Sequence, residues 1–227
     1  MTARRFSAQR PIRLSDTDAT GRLRLDAVAR YLQDIAADDV LDAGWAPDEH
    51  IWVVRRTNLD VTRPFIEDTA VELETWCSGT GASAALRSTT LTGDRGGRID
   101  AEMTWINLGP DLRPVRLEER FLAVYGESAA GRRAPTRFEL PAPPDTATSF
   151  AWQVRATDVD RLQHVNNAAY WAPVEELLGT RLHEPFRATL EYRQPLDFGD
   201  GVDVRTAGDE LWFTVAGQVH AAAILRT

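Results

Sequence analysis

The chain has 227 residues, 43% of them hydrophobic and 26% charged, a composition typical of a globular protein that buries a sizeable core. The net charge of −8 argues against a general affinity for nucleic acid, and because all 26 basic residues are arginine, Schiff-base chemistry at a lysine is excluded. No apolar signal segment opens the sequence and no apolar run approaches the roughly 18 residues of a membrane span, so we expect a cytoplasmic protein without membrane contact.

A pair of aspartates precedes the first predicted helix. Asp16 and Asp18 stand in the segment "SDTDATGRL", and the apolar residues that follow recur at steps of three and four. This spacing predicts an amphipathic helix whose apolar face is buried against a sheet. The apolar positions are Leu25, Val28, Ala29, Leu32, Ile35 and Ala36.

Strands and a hairpin follow in the first half of the chain. The segment "WVVRRTNLDVTRPFIEDTAVELETW" predicts a strand, a break at Pro64, an acidic turn and a second strand. Next, "ASAALRSTTLTGDRGGRIDAEMTWINL" predicts an antiparallel hairpin with residues 94–97 as its turn. Residues 126–148 then lose apolar periodicity and gather proline, glycine, alanine and threonine, which is typical of a linker.

The second half repeats the order of the first. One shift along the chain places Asp16 on Asp158 and Asp18 on Asp160, within "DVDRLQHVNNAAYWAPVEELL", and indicates an internal repeat. Pro173 lies in the helical pattern that follows, so that helix either kinks there or begins later than the pattern suggests. Beyond it, "RATLEYRQPLDFGDGVDVRTAG" again predicts strand, proline break, acidic turn and strand.

Both halves resemble thioesterases that have the hotdog fold. "SDTDATGRL" and "TDVDRLQHVNN" each join an Asp-x-Asp to an apolar helix, and "HVNNAAYW" followed by "LEYRQP" is similar to the acyl-acyl-carrier-protein (acyl-ACP) thioesterases. "WVVRRTNLDVTRPFIEDTAVELETWCSG" resembles the same family, so the likeness covers nearly the whole chain. It implies an α+β protein of two tandem hotdog domains, residues 1–125 and 149–227, each an antiparallel sheet wrapped around a long helix, with 126–148 as the linker.

The resemblance also implies a reaction, the hydrolysis of fatty acyl thioesters such as acyl-ACP with release of a free fatty acid. The family pattern is Asp-x-Asn-x-His followed by two asparagines, and its matches here are Asp160, His164, Asn166 and Asn167. Leu162 stands where the pattern has its middle asparagine. Pro195 and Leu196 stand where plant members have a glutamate and a cysteine, so the roles of those side chains do not transfer.

Thioester hydrolysis needs a nucleophile or a base, together with donors that stabilise the oxyanion. Asp160 is the candidate for attack on the thioester or activation of water, and His164 for holding Asp160 or protonating the leaving thiolate. We expect free backbone N–H groups at the helix start, around residues 164–167. The candidates for oxyanion or substrate positioning are Asn166, Asn167 and Glu176. For Glu176 the alternative is a solvated helix face.

The first copy keeps Asp18 but has Arg22 in place of the histidine, so it is the more altered of the two. Asp18 is nevertheless a candidate for a second site, because "DTDATG" also resembles single-domain acyl-CoA thioesterases. An aspartate or asparagine just before a helix is also typical of a helix cap, which is the alternative role for Asp16, Asp18 and Asn166.

The expected chemistry requires no cofactor, and no metal site is indicated by the spacing of His50, His164, His183 and His220. The expected partner is an acyl-ACP or coenzyme A thioester substrate. A tandem repeat already supplies the pairing that single hotdogs obtain by dimerising, so both a monomer and a homodimer remain open. Two other functions also remain open: an acyl-CoA thioesterase, and a non-catalytic acyl-binding protein in which Leu162 and Pro195 mark a decayed site.

Overall fold

The computed structural model of the chain describes residues 3–45 and 51–226, so His50 lies outside the described residues. The first half contains β1 Phe6–Pro11, α1 Leu25–Asp42, β2 Ile51–Arg63, β3 Ala70–Thr80, β4 Ala84–Gly93, β5 Arg98–Leu108 and α2 Glu119–Ala129. The second half contains β6 Thr148–Trp152, α3 Trp171–Leu178, β7 Phe186–Tyr192, β8 Val202–Ala207, β9 Glu210–Val215 and β10 Gln218–Arg226. Three short 3₁₀ turns accompany them, at Leu14–Asp16, Ala156–Asp158 and Gly179–His183.

The strands form one sheet of ten strands in the order β1-β3-β4-β5-β2-β7-β10-β9-β8-β6, and every neighbouring pair is antiparallel. The first half supplies one side of the sheet and the second half supplies the other, in mirrored order. β2 and β7 form the central seam, in which Arg56 lies opposite Glu191. The separate sheets expected from the sequence are therefore joined, and the joining pairs backbone groups that β2 and β7 would otherwise expose as edge strands.

The larger of two hydrophobic clusters unites the two halves, and the smaller one lies between β3, β4 and α2. α1 and α3 pack against each other, and side chains from both helices and from both sides of the sheet belong to the same cluster. Burial of each large apolar side chain stabilises the fold by about 1.5–3 kcal/mol. The buried apolar face of α1 includes the residues that the spacing predicts, Leu25, Val28, Ala29, Leu32, Ile35 and Ala36.

The helix of the second half is short, with eight residues in α3 against 18 in α1. Pro173 lies in the first turn of α3, where its missing N–H removes no intrahelical hydrogen bond. The expectation of a long helix in each half is therefore wrong for the second half. Of the two alternatives for Pro173, the later helix start is the one observed.

The strand breaks and the hairpin turn predicted from the sequence are confirmed. β2 ends at Arg63, immediately before Pro64, and β7 ends at Tyr192, shortly before Pro195. β4 and β5 pair across the turn at residues 94–97. Proline cannot donate to a strand ladder, and this explains why both strands end where they do.

Helix α2 is an element that the sequence analysis did not predict. It packs against β3, and it ends at Ala129, so it runs across the position where the expected linker begins. Within the described residues, no helix combines the length and the apolar character that crossing a membrane requires.

Glu191 fastens the linker to the central seam of the sheet. It alternates with the core residue Leu190 and so points away from the core, yet it is fully buried. Its carboxylate accepts hydrogen bonds from the backbone N–H groups of Glu139 at 2.7 Å and Leu140 at 3.2 Å. It also accepts from the guanidinium groups of Arg56 at 2.7 Å and Arg193 at 3.2 Å. The linker is thus held across the line where the two halves meet.

Candidate active site

The first aspartate of each acidic segment closes a 3₁₀ turn. The N–H of Arg13 donates to Asp16 Oδ2 at 3.0 Å, and the N–H of Arg155 donates to Asp158 Oδ2 at 2.8 Å. These bonds satisfy backbone donors at the start of the turn, as capping residues do, and give Asp16 and Asp158 a structural role. The two acidic segments that the sequence aligns therefore have the same local structure.

Asp160, the second aspartate of the second copy, keeps part of its carboxylate accessible. It is partly exposed, and its Oδ1 accepts a hydrogen bond from the backbone N–H of Leu162 at 2.8 Å. The Leu162 side chain is exposed, so this residue contacts Asp160 through its backbone and not through the side chain that replaces the family's asparagine. Asp160 Oδ2 has no hydrogen-bond partner among the described residues and can receive a water molecule or a substrate.

His164 is paired with a carboxylate that the sequence analysis did not anticipate. Its Nδ1 lies 2.6 Å from Oδ1 of Asp197, in the loop after β7, and both side chains are largely exposed. A short antiparallel bridge joins the two residues along the backbone. Asp197 lies two positions beyond Pro195, where the family's glutamate is absent, so the structure supplies a carboxylate next to the histidine from a different position. This contact fixes the orientation of the imidazole ring.

Asn166 and Asn167 are joined to the first half of the chain by Gln33 of α1. Gln33 Nε2 donates to Asn166 Oδ1 at 3.2 Å and also to Asn167 Oδ1, while Asn166 Nδ2 donates to Gln33 Oε1 at 3.3 Å. Asn166 Oδ1 also accepts the N–H of Ala168 at 2.9 Å, which is a local capping interaction. Asn166 therefore has a clear structural role, whereas the amide nitrogen of Asn167 makes no hydrogen bond to a described residue.

The expectation of free backbone N–H groups at residues 164–167 is wrong for Val165 and Asn166, whereas the N–H of His164 has no acceptor among the described residues. The N–H of Val165 donates to Leu196 O at 2.7 Å, and the N–H of Asn166 donates to Asp158 O at 2.7 Å. These bonds tie the segment to the next loop and to the 3₁₀ turn, and α3 itself begins later, at Trp171. The backbone N–H of Asn167 remains without an acceptor in the described part of the chain.

The corresponding region of the first copy is closed by an ion-pair cluster. Arg22, which takes the place of His164, is buried and lies 3.0 Å from Asp18 Oδ2 and 2.6 Å from Glu175 Oε1 of α3. Asp18 Oδ1 accepts three further hydrogen bonds, two from Thr20 and one from the N–H of Arg22. Burial alone would raise the pKa of the Asp18 carboxyl, but these bonds and the charge of Arg22 together lower it. Asp18 is therefore a weak base whose oxygens are already engaged.

The structure separates two neighbouring glutamates of α3. Glu176 is exposed on the outer face of the helix, which is the alternative that the sequence analysis left open for it. Glu175 instead faces inward, where burial raises the pKa of its carboxyl even though Arg22 and the backbone N–H of Leu25 oppose that shift. The inward carboxylate of α3, Glu175, thus contacts the acidic segment of the first copy. Glu176 makes no contact with the described residues of either candidate site.

A cavity of about 430 Å³ lies in the first half, between α1, the sheet and α2. Along α1 it extends from Gln33 to Leu41, a rise of about 12 Å. Two lining residues are next to the candidate residues of the second half: Gln33 contacts the two asparagines, and Arg161 follows Asp160 in the sequence. The candidate residues themselves are not part of the lining. Its apolar and aromatic lining includes Ala36, Val40, Trp45, Trp52, Ala85, Trp105, Phe121 and Tyr125.

Two other features of this region bear on its chemistry. Cys77 also lines the cavity, and burial raises the pKa of its thiol, which makes it a poor nucleophile. Within the described residues, no group of three or more His, Cys, Asp and Glu side chains is arranged to hold a metal ion.

Gln33, Asp197 and Glu175 are the residues of the site region that sequence reasoning missed. The shift that aligns Asp18 with Asp160 also aligns Gln33 with Glu175, so the repeat contained a signal for these two. No comparable signal existed for Asp197, because its contact with His164 depends on how a loop folds back against another loop.

Comparison with known proteins agrees with the fold and shows the family. A family model for the acyl-ACP thioesterase N-terminal domain matches residues 3–125, and the model for the C-terminal domain of the same enzymes matches residues 142–221. An uncharacterized protein of Mycobacterium tuberculosis is 35% identical over 219 residues, which are 93% of this chain and 88% of the relative. The chloroplastic oleoyl-acyl carrier protein thioesterase 2 of Arabidopsis thaliana is 27% identical over 217 residues, covering 82% of this chain and 58% of the plant protein.

Solved structures with similar folds include two thioesterases. The 12:0-ACP thioesterase of Umbellularia californica superposes with a TM-score of 0.77 at 21% identity, covering 98% of this chain and 97% of that one. An acyl-ACP thioesterase of Bacteroides thetaiotaomicron superposes with a TM-score of 0.75 at 17% identity, covering 98% of each chain. At these identities the superpositions establish a shared α+β fold built on a large antiparallel sheet.

Proposed function

The chain belongs to the acyl-ACP thioesterase family, and from this premise we propose that it hydrolyses fatty acyl thioesters at the site formed by Asp160 and His164. The observation that carries the proposal is the position of this pair. The accessible Asp160 and the histidine held by Asp197 belong to the same short segment as Arg161, which lines a largely apolar cavity of about 430 Å³. Small-molecule sites commonly combine an apolar cavity with a few polar groups of this kind.

The proposed reaction begins at the Asp160 carboxylate, by either of two routes. As a base, Asp160 takes a proton from a water molecule whose oxygen adds to the thioester carbonyl carbon. As a nucleophile, it adds to that carbon itself, and water hydrolyses the resulting anhydride in a second step. Both routes place negative charge on the carbonyl oxygen and then break the C–S bond, with release of fatty acid and thiol. His164 is the proton donor for the leaving thiolate.

The acyl chain, in this proposal, occupies the cavity of the first half. Its lining is mainly aliphatic and aromatic, and it runs beside α1 away from the Asp160 region. Burial of each methylene of a fatty acyl chain in such a cavity contributes about 0.8 kcal/mol. The two halves then have different tasks, because the second supplies the reacting groups and the first holds the chain.

We further propose that the two halves, one holding the acyl chain and the other supplying the reacting groups, are tandem hotdog units. The proposed units are residues 1–125 and 149–227, with the seam between β2 and β7 as their joint. The intervening segment 126–148 serves as the linker, although the last turn of α2 extends into it. The first unit keeps the form of a site at Asp18, but the Arg22 and Glu175 side chains fill it.

Acyl-ACP is the proposed substrate, and the support for this carrier is the family itself. Acyl-CoA is the second candidate, since the chemistry at the thioester is the same for both carriers. The exposed Leu162 in place of the family's asparagine favours a third candidate, an acyl-binding protein without turnover.

Release of free thiol from matched acyl-ACP and acyl-CoA substrates tests these candidates directly. Turnover with a higher kcat/KM on acyl-ACP supports the proposal, and a higher kcat/KM on acyl-CoA transfers the function to the second candidate. If no thiol is released at any acyl chain length and a fatty acid still binds measurably, the third candidate, an acyl-binding protein without turnover, is supported instead.

Enlarging Ala85 tests the place of the acyl chain. Ala85 lies on β4 and lines the cavity, so Ala85→Leu removes space that a long chain needs and a short chain does not. We expect the ratio of kcat/KM for a long-chain over a short-chain substrate to fall at least about tenfold. The ratio provides its own control, because partial unfolding lowers both values equally. An unchanged ratio would place the acyl chain outside this cavity.

A further inference from the structure

Gln33 links the two halves at the candidate site in a specific way. It belongs to α1 of the first half and lines the acyl cavity, and its side chain crosses to the two asparagines of the second half. With Asn166 it forms a reciprocal pair in which each amide nitrogen donates to the oxygen of the other. The N–H of Ala168 donates to Asn166 Oδ1 and so identifies the oxygen of Asn166; the reciprocal pair then fixes which end of the Gln33 amide is nitrogen and which is oxygen.

The fixed Gln33 amide in turn orients Asn167. Gln33 Nε2 donates to Asn167 Oδ1, so the amide oxygen of Asn167 is taken and its Nδ2 points elsewhere. Tyr192 donates to the backbone oxygen of Asn167 at 3.1 Å and holds the same residue from the sheet. Asn167 therefore presents an Nδ2–H donor in a defined direction, beside a backbone N–H that also lacks an acceptor within the described residues.

The residues that the repeat aligns with Asn167 and Gln33 in the first copy make a charged contact. The shift that places Asp18 on Asp160 places Leu25 on Asn167 and Gln33 on Glu175. There the Glu175 carboxyl accepts the backbone N–H of Leu25 and pairs with Arg22, so negative charge already occupies the place beside that N–H. In the second copy the neutral Gln33 amide donates to the side-chain oxygen of Asn167 and does not accept its backbone N–H, so the donors of Asn167 are left available for another acceptor.

We propose that Gln33 is a positioning residue that turns the Asn167 amide so that its Nδ2–H meets the oxyanion formed on the thioester carbonyl. This inference rests on the proposed function of the Asp160 site. Asn167 is then the catalytic donor, and Gln33 acts through it from the other half of the chain. Loss of a single oxyanion donor lowers kcat by about 10²- to 10³-fold in other enzymes.

Two substitutions at Gln33 separate orientation from mere packing. Gln33→Glu keeps the size but replaces the donating nitrogen by a second acceptor, so the Asn167 amide rotates and presents its oxygen to the substrate. We expect kcat to fall about 100-fold above pH 7, with KM changed less than about threefold. As the pH is lowered, the introduced carboxyl is protonated and can donate again, so the ratio of variant to wild-type kcat rises.

Gln33→Leu is the matched control, since it removes the hydrogen bonds without adding a titratable group. We expect it to lower kcat about tenfold, with a ratio to wild type that does not depend on pH. A thermal unfolding curve for each variant establishes whether the fold is intact. If Gln33→Glu does not fold, the kcat of Gln33→Leu still tests the inference. A Gln33→Leu variant with wild-type kcat, or a Gln33→Glu ratio that is constant with pH, would overturn the inference alone. A wild type that releases thiol from no thioester would overturn the proposed function as well.

Discussion

Asp160→Asn is expected to lower kcat by about 10³-fold, because an amide can neither take a proton from water nor attack the thioester. Asparagine has nearly the same size as aspartate and its Oδ1 can still accept the Leu162 N–H, so the local fold is retained. The measurement is thiol release from an acyl-ACP substrate at saturation, with a thermal unfolding curve for each protein.

Asp18→Asn is the matched control in the other copy of the repeat. The Asp18 carboxylate is already engaged by Thr20 and Arg22, so we expect kcat to stay close to that of the wild type. The reverse pattern, with turnover lost in Asp18→Asn and retained in Asp160→Asn, would move the active site to the first copy. Loss of turnover in both variants, with both folds intact, would indicate that both aspartates are needed for the reaction.

Glu191→Gln is expected to lower the free energy of unfolding by about 3 kcal/mol. Glu191 is fully buried and its carboxylate is the shared acceptor of two guanidinium groups and two backbone N–H groups of the linker. Removing one partner of a buried ion pair leaves the other charge uncompensated in a poorly hydrated place. Urea unfolding at constant pH measures the loss as a lower midpoint at unchanged slope.

Glu139→Gln is the control for this substitution. Glu139 also contacts Arg56, at 3.1 Å, but its side chain is 69% exposed, so we expect a change within about 0.5 kcal/mol. Equal, small effects of the two substitutions would mean that the linker is held by other contacts, for example the cation–π contact of Arg55 with Phe138, and not by the buried carboxylate.

The elements that sequence could predict are those encoded by local patterns. The spacing of apolar residues in α1, the proline breaks at Pro64 and Pro195 and the turn at residues 94–97 all depend on neighbours in the sequence, and all are confirmed. Helix α3 is shorter than predicted although the apolar pattern continues through residues 165–170. The N–H groups of Val165 and Asn166 donate to other segments, and local bonds such as Ala169 N–H to Asn166 O span three residues and not four.

The elements that sequence could not predict depend on contacts between distant segments. Asp197 reaches His164 across 33 positions, and Gln33 reaches Asn167 across 134 positions. The inward direction of Glu175 instead of Glu176 is set by where α3 meets Arg22, since both glutamates fit the same helical pattern. Such contacts follow from packing of the two halves, for which one sequence holds little local information.

The pairing of β2 with β7 also has a consequence during synthesis of the chain. These strands meet at the centre of the sheet, yet Arg56 and Glu191 are separated by 135 positions. The first half therefore leaves the ribosome with one edge of β2 paired to β5 and the other edge exposed, and this second edge is paired only after almost the whole chain has emerged. Pairing over such a separation is slow, and an exposed strand edge invites association with other chains. For this protein the period of greatest risk of aggregation is thus the interval between translation of β2 and translation of β7.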